Sequence, residues 1–129
     1  MAWEGDQIRI SLEAAADLSS KQYMFVKVDS NGKAAICAAA TDKPCGVLQN
    51  TPTSGQEAVI CSAGVSKVSA DAALNEGDLI GTSADAQADA KTAGTDTTEY
   101  TVGMMLTATG AAAGIGTALI NCMSPGRSA

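Results

Sequence analysis

Tyr23-Met24-Phe25-Val26-Lys27-Val28-Asp29-Ser30-Asn31-Gly32-Lys33-Ala34-Ala35-Ile36-Cys37-Ala38 is the stretch from which the fold is read. Five of its first six residues are aromatic, β-branched or apolar, the side chains that suit a pleated, half-buried surface. Asn31-Gly32 then supplies two residues that tolerate positive φ, the strongest short hairpin signal. Lys33 to Ala38 returns as the second strand. The stretch predicts an antiparallel hairpin and an all-β chain built from such units.

The same grammar runs outward in both directions. On the C-terminal side, Pro44-Cys45-Gly46-Val47-Leu48-Gln49 starts a further strand, and Pro52-Thr53-Ser54-Gly55 marks a turn. Glu57 to Ser62 and Val65 to Val68 read as two short strands separated at Gly64. On the N-terminal side, Gln7-Ile8-Arg9-Ile10-Ser11-Leu12-Glu13 alternates polar and apolar residues, the period of a half-buried strand. Residues 1–14 are expected to form an extended arm. Trp3, the only tryptophan, either anchors that arm in a neighbour's pocket or packs on its own domain.

The second half of the chain follows suit. Gly77-Asp78-Leu79-Ile80-Gly81-Thr82 stands where Tyr23 to Val28 stands, and Tyr100 to Leu106 where Pro44 to Leu48 stands. Ala113 to Cys122 matches Ser54 to Cys61, each strand ending near a cysteine. A degenerate internal repeat accounts for this, as does the ordinary reuse of strand-turn-strand units by all-β chains. Residues 83–99 are polar and rich in Ala, Asp and Thr, and are expected as a long exposed loop with at most one weak strand. Strands every 8–12 residues indicate a compact β-barrel or β-sandwich. Helices, if any, are short, with 13–18 and 71–75 as candidates. The expected organisation is an arm at 1–14, a single β domain at 15–123 and a loose tail at 124–129.

Composition limits what such a domain can do. Of the 129 residues, 46% are hydrophobic, but 25 of these are alanine, and Leu, Ile, Val and Phe number only 22. A core this thin gains most from burial against copies of itself or a partner. The net charge of −6 argues against a nucleic-acid footprint, which needs a basic face, and against an anionic membrane surface. No apolar run reaches the ~20 residues of a membrane-spanning helix. The N-terminus has neither the basic nor the apolar region of a signal peptide, so synthesis in the cytoplasm is expected.

The search for chemistry is mostly negative. The chain has no histidine, so the commonest general base and metal ligand is missing and no Ser-His-Asp or Cys-His arrangement can be built. The acidic residues lie in turn positions such as Asp29, Asp71, Glu76, Asp78, Asp85, Asp89 and Asp96, where solvated Asp is ordinary. Asp85, Asp89 and Asp96 lack the spacing and closing Glu of a calcium loop. Gly110 to Gly116 matches neither dinucleotide nor P-loop patterns. Cys37, Cys45, Cys61 and Cys122 contain no C-x-x-C pair and are read as buried free thiols on strands. No catalytic residue, metal ligand or cofactor site is expected.

Ile10-Ser11-Leu12-Glu13-Ala14-Ala15-Ala16-Asp17-Leu18-Ser19, running on to Val28, resembles part of the small decoration (cement) proteins of tailed-bacteriophage capsids. Cys45 to Asn50, Gly55 to Val59, Gly64 to Val68 and Gly77 to Thr82 extend the resemblance in the same order, over about residues 8–122. Residues 83–99 match poorly, and the cysteines have no counterpart. The resemblance implies a β domain on the outer surface of an icosahedral head, with the major capsid protein and itself as partners, often as a homotrimer that reinforces contacts between capsomers. Trp3, Ile8, Ile10 and Leu12 are the expected capsid or inter-subunit contacts. The rival expectation is a head-fibre or adhesin-type β module that holds a host glycan; a small enzyme is disfavoured.

Overall fold

The computed structural model describes residues 2–128 and is all β, with no helix among those residues. Eleven strands follow in order: β1 (Gln7–Glu13), β2 (Phe25–Val28), β3 (Ala34–Ile36), β4 (Gly46–Leu48), β5 (Glu57–Ser69), β6 (Leu79–Thr82), β7 (Ala88–Ala90), β8 (Tyr100–Thr101), β9 (Gly103–Met105), β10 (Ile115–Asn121) and β11 (Gly126–Arg127). Nine form one antiparallel sheet in the order β3-β2-β4-β5-β10-β9-β6-β7, with β1 on the other edge of β5. The sheet curls at both ends. Ala34 of β3 bridges back to Ala14, just past β1, and Ala88 of β7 bridges to Ala70, just past β5. Of the two architectures expected, the chain takes the curled, half-barrel one rather than two stacked sheets.

The Asn31-Gly32 hairpin forms as read, with Val26 opposite Ile36 and Val28 opposite Ala34. Gly32 takes φ +75° in the turn. The expected break at Gly64 does not occur, and 57–69 is one 13-residue strand. Gly64 instead lies beside a bulge: Ile8 faces Ala63 while Arg9 faces Cys61, leaving Ser62 extra. Its φ of +123° and the Asp6 carbonyl packed against its Cα leave no room for a side chain. A glycine in a strand pattern here marks a bend and a close approach, not an end.

The candidate helices at 13–18 and 71–75 are likewise absent. Ala14 and Ala70 give their backbone groups to the sheet, and Leu18 N–H and Leu74 N–H donate to the carbonyls of Pro52 and Thr109 at 2.9 and 3.2 Å. Segments this short cannot recover the cost of helix nucleation when cross-chain partners compete. The 83–99 stretch is only partly a loop. Its first half forms the β6–β7 hairpin, in which Ala86 and Ala88 are fully buried, and only the remainder is mainly turns. Residues 126–128 are not loose either. β11 pairs β8, and Ser128 donates to and accepts from the backbone of Glu99 and Gly94. Met1 and Ala129, at the ends of the expected arm and tail, lie outside the described residues.

The backbone hydrogen bonds of residues 7–61 recur in residues 63–119. Ala14 N–H donates to Gln56 and Ala70 N–H to Gly114; Ala15 N–H donates to Ala34 and Asp71 N–H to Ala88; Gly55 N–H donates to Ala14 and Ala113 N–H to Ala70. The left-handed residues recur too, as Tyr23 and Gly77, Gly32 and Ala86, Gly55 and Ala113. The cysteine match read from the sequence is out of register, because Leu119, not Cys122, takes the place of Cys61. Each half has its own core. Val26, Leu48, Ile60 and Leu18 fill the first, and Ile80, Val68, Met105 and Ile120 the second. Phe25, Val47 and Cys61, on the opposite face of the first half, join the second core. The first half of the sheet is therefore buried on both faces and the second half on one.

Candidate interaction surface

Phe25, Val47, Cys61 and Arg9 stand opposite one another in a row across β2, β4, β5 and β1. Cross-strand partners share a face, so this row forms one strip. Its first three residues are 1% exposed or less. The β6–β7 turn closes over them, where Phe25 N–H donates to the Ala86 carbonyl at 2.8 Å. Thr82, at the start of that turn, is buried beside Cys37. The second half builds the same row from Leu79, Met104, Leu119 and Val65. Here nothing among the described residues closes over it: Leu79, Met104 and Leu119 are 42%, 39% and 48% exposed.

The N-terminal segment enlarges this strip. Trp3 brackets the Thr117 hydroxyl of β10, its N–H donating to Oγ1 at 2.6 Å and its carbonyl accepting from Oγ1 at 2.9 Å. Thr117 lies two residues from both Ile115 and Leu119 and so points to the same face. The backbone of the half-exposed Trp3 is thus tethered at Thr117, which lies between the exposed Ile115 and Leu119 along β10. Gly5 and Asp6 continue the tether by exchanging backbone hydrogen bonds with Val65, both at 3.1 Å. Leu79, Met104, Leu119, Ile115 and Trp3 form one apolar face, which a soluble domain ordinarily keeps covered.

The residues singled out in the sequence are placed unequally. Trp3 lies on this face. Ile8 and Ile10 are exposed on β1, and Ile8 sits opposite Ala63 at a shallow cavity of about 180 Å³ with Asp6, Gln7 and Gly64. Leu12 packs against the first core. Strand 7–13 spends its hydrogen bonds on β5 of its own chain, from Gln7 opposite Gly64 to Glu13 opposite Glu57. Leu79, Met104, Ile115 and Leu119 were not singled out. The available signal was alternation: Ile115, Thr117 and Leu119 share a parity that the buried Ala118 and Ile120 do not.

The polar groups are arranged for structure. The Lys91 side chain is fully enclosed and forms an ion pair with Glu99, with Asp89 at 3.8 Å. Burial pulls the Asp42 carboxyl upward, but the Ala38 and Ala39 amides and the Lys27 ammonium outweigh it and hold it below the usual carboxylate range. Burial raises the Asp71 carboxyl, helped by the charges of Asp85 and Asp89. Among the described residues no group of three Cys, Asp or Glu side chains is placed to hold a metal ion.

No protein-family model matches the chain, and no curated protein matches it either. Solved structures do. One is the head fibre gp8.5 N base of bacteriophage phi29, which is 15% identical, with a TM-score of 0.62 over 91% of this chain and 96% of that one. The similarity spans nearly both chains from end to end and is one of fold.

Proposed function

We propose that this chain is a non-enzymatic structural protein of a tailed-phage particle, seated on the outer surface of the head with the major capsid protein as partner. The observation that carries this reading is the near full-length likeness of fold to the base of a phage head fibre. An apolar face on a small acidic domain fits the same role, since such a face is made to be covered. In the decoration form of the role, the protein is made in the host cytoplasm, adds to the head and reinforces contacts between capsomers. The capsid-facing residues are then Ile8 and Ile10 on the β1 edge, and Trp3, tethered to β10, is an inter-subunit contact.

A second reading follows from the same comparison. The structural neighbour is a fibre base, so the domain would sit on the head as the foot of a fibre or as an adhesin-type module for a host glycan. Co-sedimentation of the purified protein with heads lacking it tests the attachment that decoration and fibre foot share. Saturable binding that Ile8→Lys or Ile10→Lys weakens is the expected result. Protein that stays in the supernatant while a host-glycan resin retains it overturns head attachment and leaves the glycan-binding module.

A further inference from the structure

We propose that the Leu79–Met104–Leu119 row docks the β2–β3 hairpin of a second copy of this chain, head to tail. The ground is an interface the molecule already builds between its own halves. There, the Phe25–Val47–Cys61 row is closed by the β6–β7 turn, with Ala86 accepting from Phe25 N–H and Thr82 buried at the turn's start. By the recurring register, Leu79, Met104 and Leu119 take the places of Phe25, Val47 and Cys61. Gly32 takes the place of Ala86, with φ +75° against +64°, and Val28 takes the place of Thr82.

Both parts of this second interface are present in the chain but apart. The row is about half exposed, and Val28 is 52% exposed where Thr82 is 1%. Repeating the junction between copies sets the hairpin of one on the row of the next. The Gly32 carbonyl of one copy then stands where Leu79 N–H of the other can donate to it. The two patches differ, so the contact is heterologous, and the rotation between copies decides whether it closes into a ring. Continuity with the junction inside the chain is what selects a second copy as occupant. The inference does not rest on the capsid reading and is tested without capsids.

Sedimentation velocity of the full chain is the experiment, with Leu119→Lys to spoil the row and Val28→Lys to spoil the hairpin. Both sites are exposed, so both variants keep the β-type circular dichroism of the parent. The parent self-associates with rising concentration, and a lysine at either site weakens association by about tenfold or more, because its charge would be buried. Mixing the two variants is decisive. Each retains one good patch, so the mixture forms a dimer that neither variant forms alone. A parent that stays monomeric to about 1 mM overturns the proposal. So does a mixture that fails to dimerise, which would point to a contact between like patches. Loss of head binding with self-association intact would defeat the proposed function and leave this inference standing.

Discussion

Cys37, Cys45, Cys61 and Cys122 are free thiols whose chemistry is set by where they sit. Burial pushes Cys37 up to about 12 and Cys45 and Cys61 up to about 11, and it raises Cys122 as well. The nucleophilic thiolate is therefore scarce at neutral pH. Iodoacetamide at pH 7.5 should label the half-buried Cys45 first and the other three only on unfolding; rapid labelling of all four would contradict their burial. The unfolded thiols ionise near pH 9 and the folded ones two to three units higher. A folded value above the unfolded one means that the stability is complete below pH 9 and is lost as pH rises through 11 to 12. The urea midpoint should fall over that window, and less so in Cys37→Ala. Gly64 is hemmed in by the chain that runs past it. A Cβ there meets the Asp6 backbone at a φ of +123°, so Gly64→Ala should cost roughly 2 kcal/mol or more in urea titration.

The strands and hairpins show which features the sequence displays and which it hides. The β2–β3 hairpin was legible because Asn31-Gly32 is turn chemistry between two β-prone runs, and β1 because Gln7 to Glu13 alternates without a fault. The continuity of β5 was not legible, since Gly64 reads as a break until the bulge at Ser62 and the approach of Asp6 are known. β7 was legible only as one weak strand somewhere in 83–99: Ala88-Asp89-Ala90 has little β preference of its own and is held by pairing with β6 and by the burial of Ala86 and Ala88. Lys91 at its end is the clearest case of tertiary structure overriding a polar pattern. Its ammonium is enclosed and depends on Glu99. Glu99→Ala should cost roughly 3 kcal/mol, because it leaves a buried charge without its partner. Lys91→Met, which removes the charge and keeps much of the volume, should cost less. Equal losses in thermal unfolding of the two variants would contradict the pairing. The apolar face was half legible: Trp3 stood out by its rarity, whereas Leu79, Met104 and Leu119 come together only through the pairing of β6, β9 and β10.

Across the whole molecule, the first half of the sheet is buried on both faces and the second half on one, which leaves the Leu79–Met104–Leu119 row uncovered among the described residues. The same geometry explains how so alanine-rich a chain can hold two cores, since each needs only a few large side chains beneath a curled sheet. It also gives the molecule two kinds of surface, a β1 edge bearing Ile8 and Ile10 and a β6–β9–β10 face bearing Leu79, Met104 and Leu119. On the proposed reading, the first meets the head and the second meets another copy. The most direct test is cryo-electron microscopy of phage heads prepared with and without this protein. Added density on the outer surface, fitted by this fold with the β1 edge against the capsid and absent from heads lacking the protein, is the predicted result. Identical maps from the two preparations, with the protein remaining free in solution, would contradict a place on the capsid.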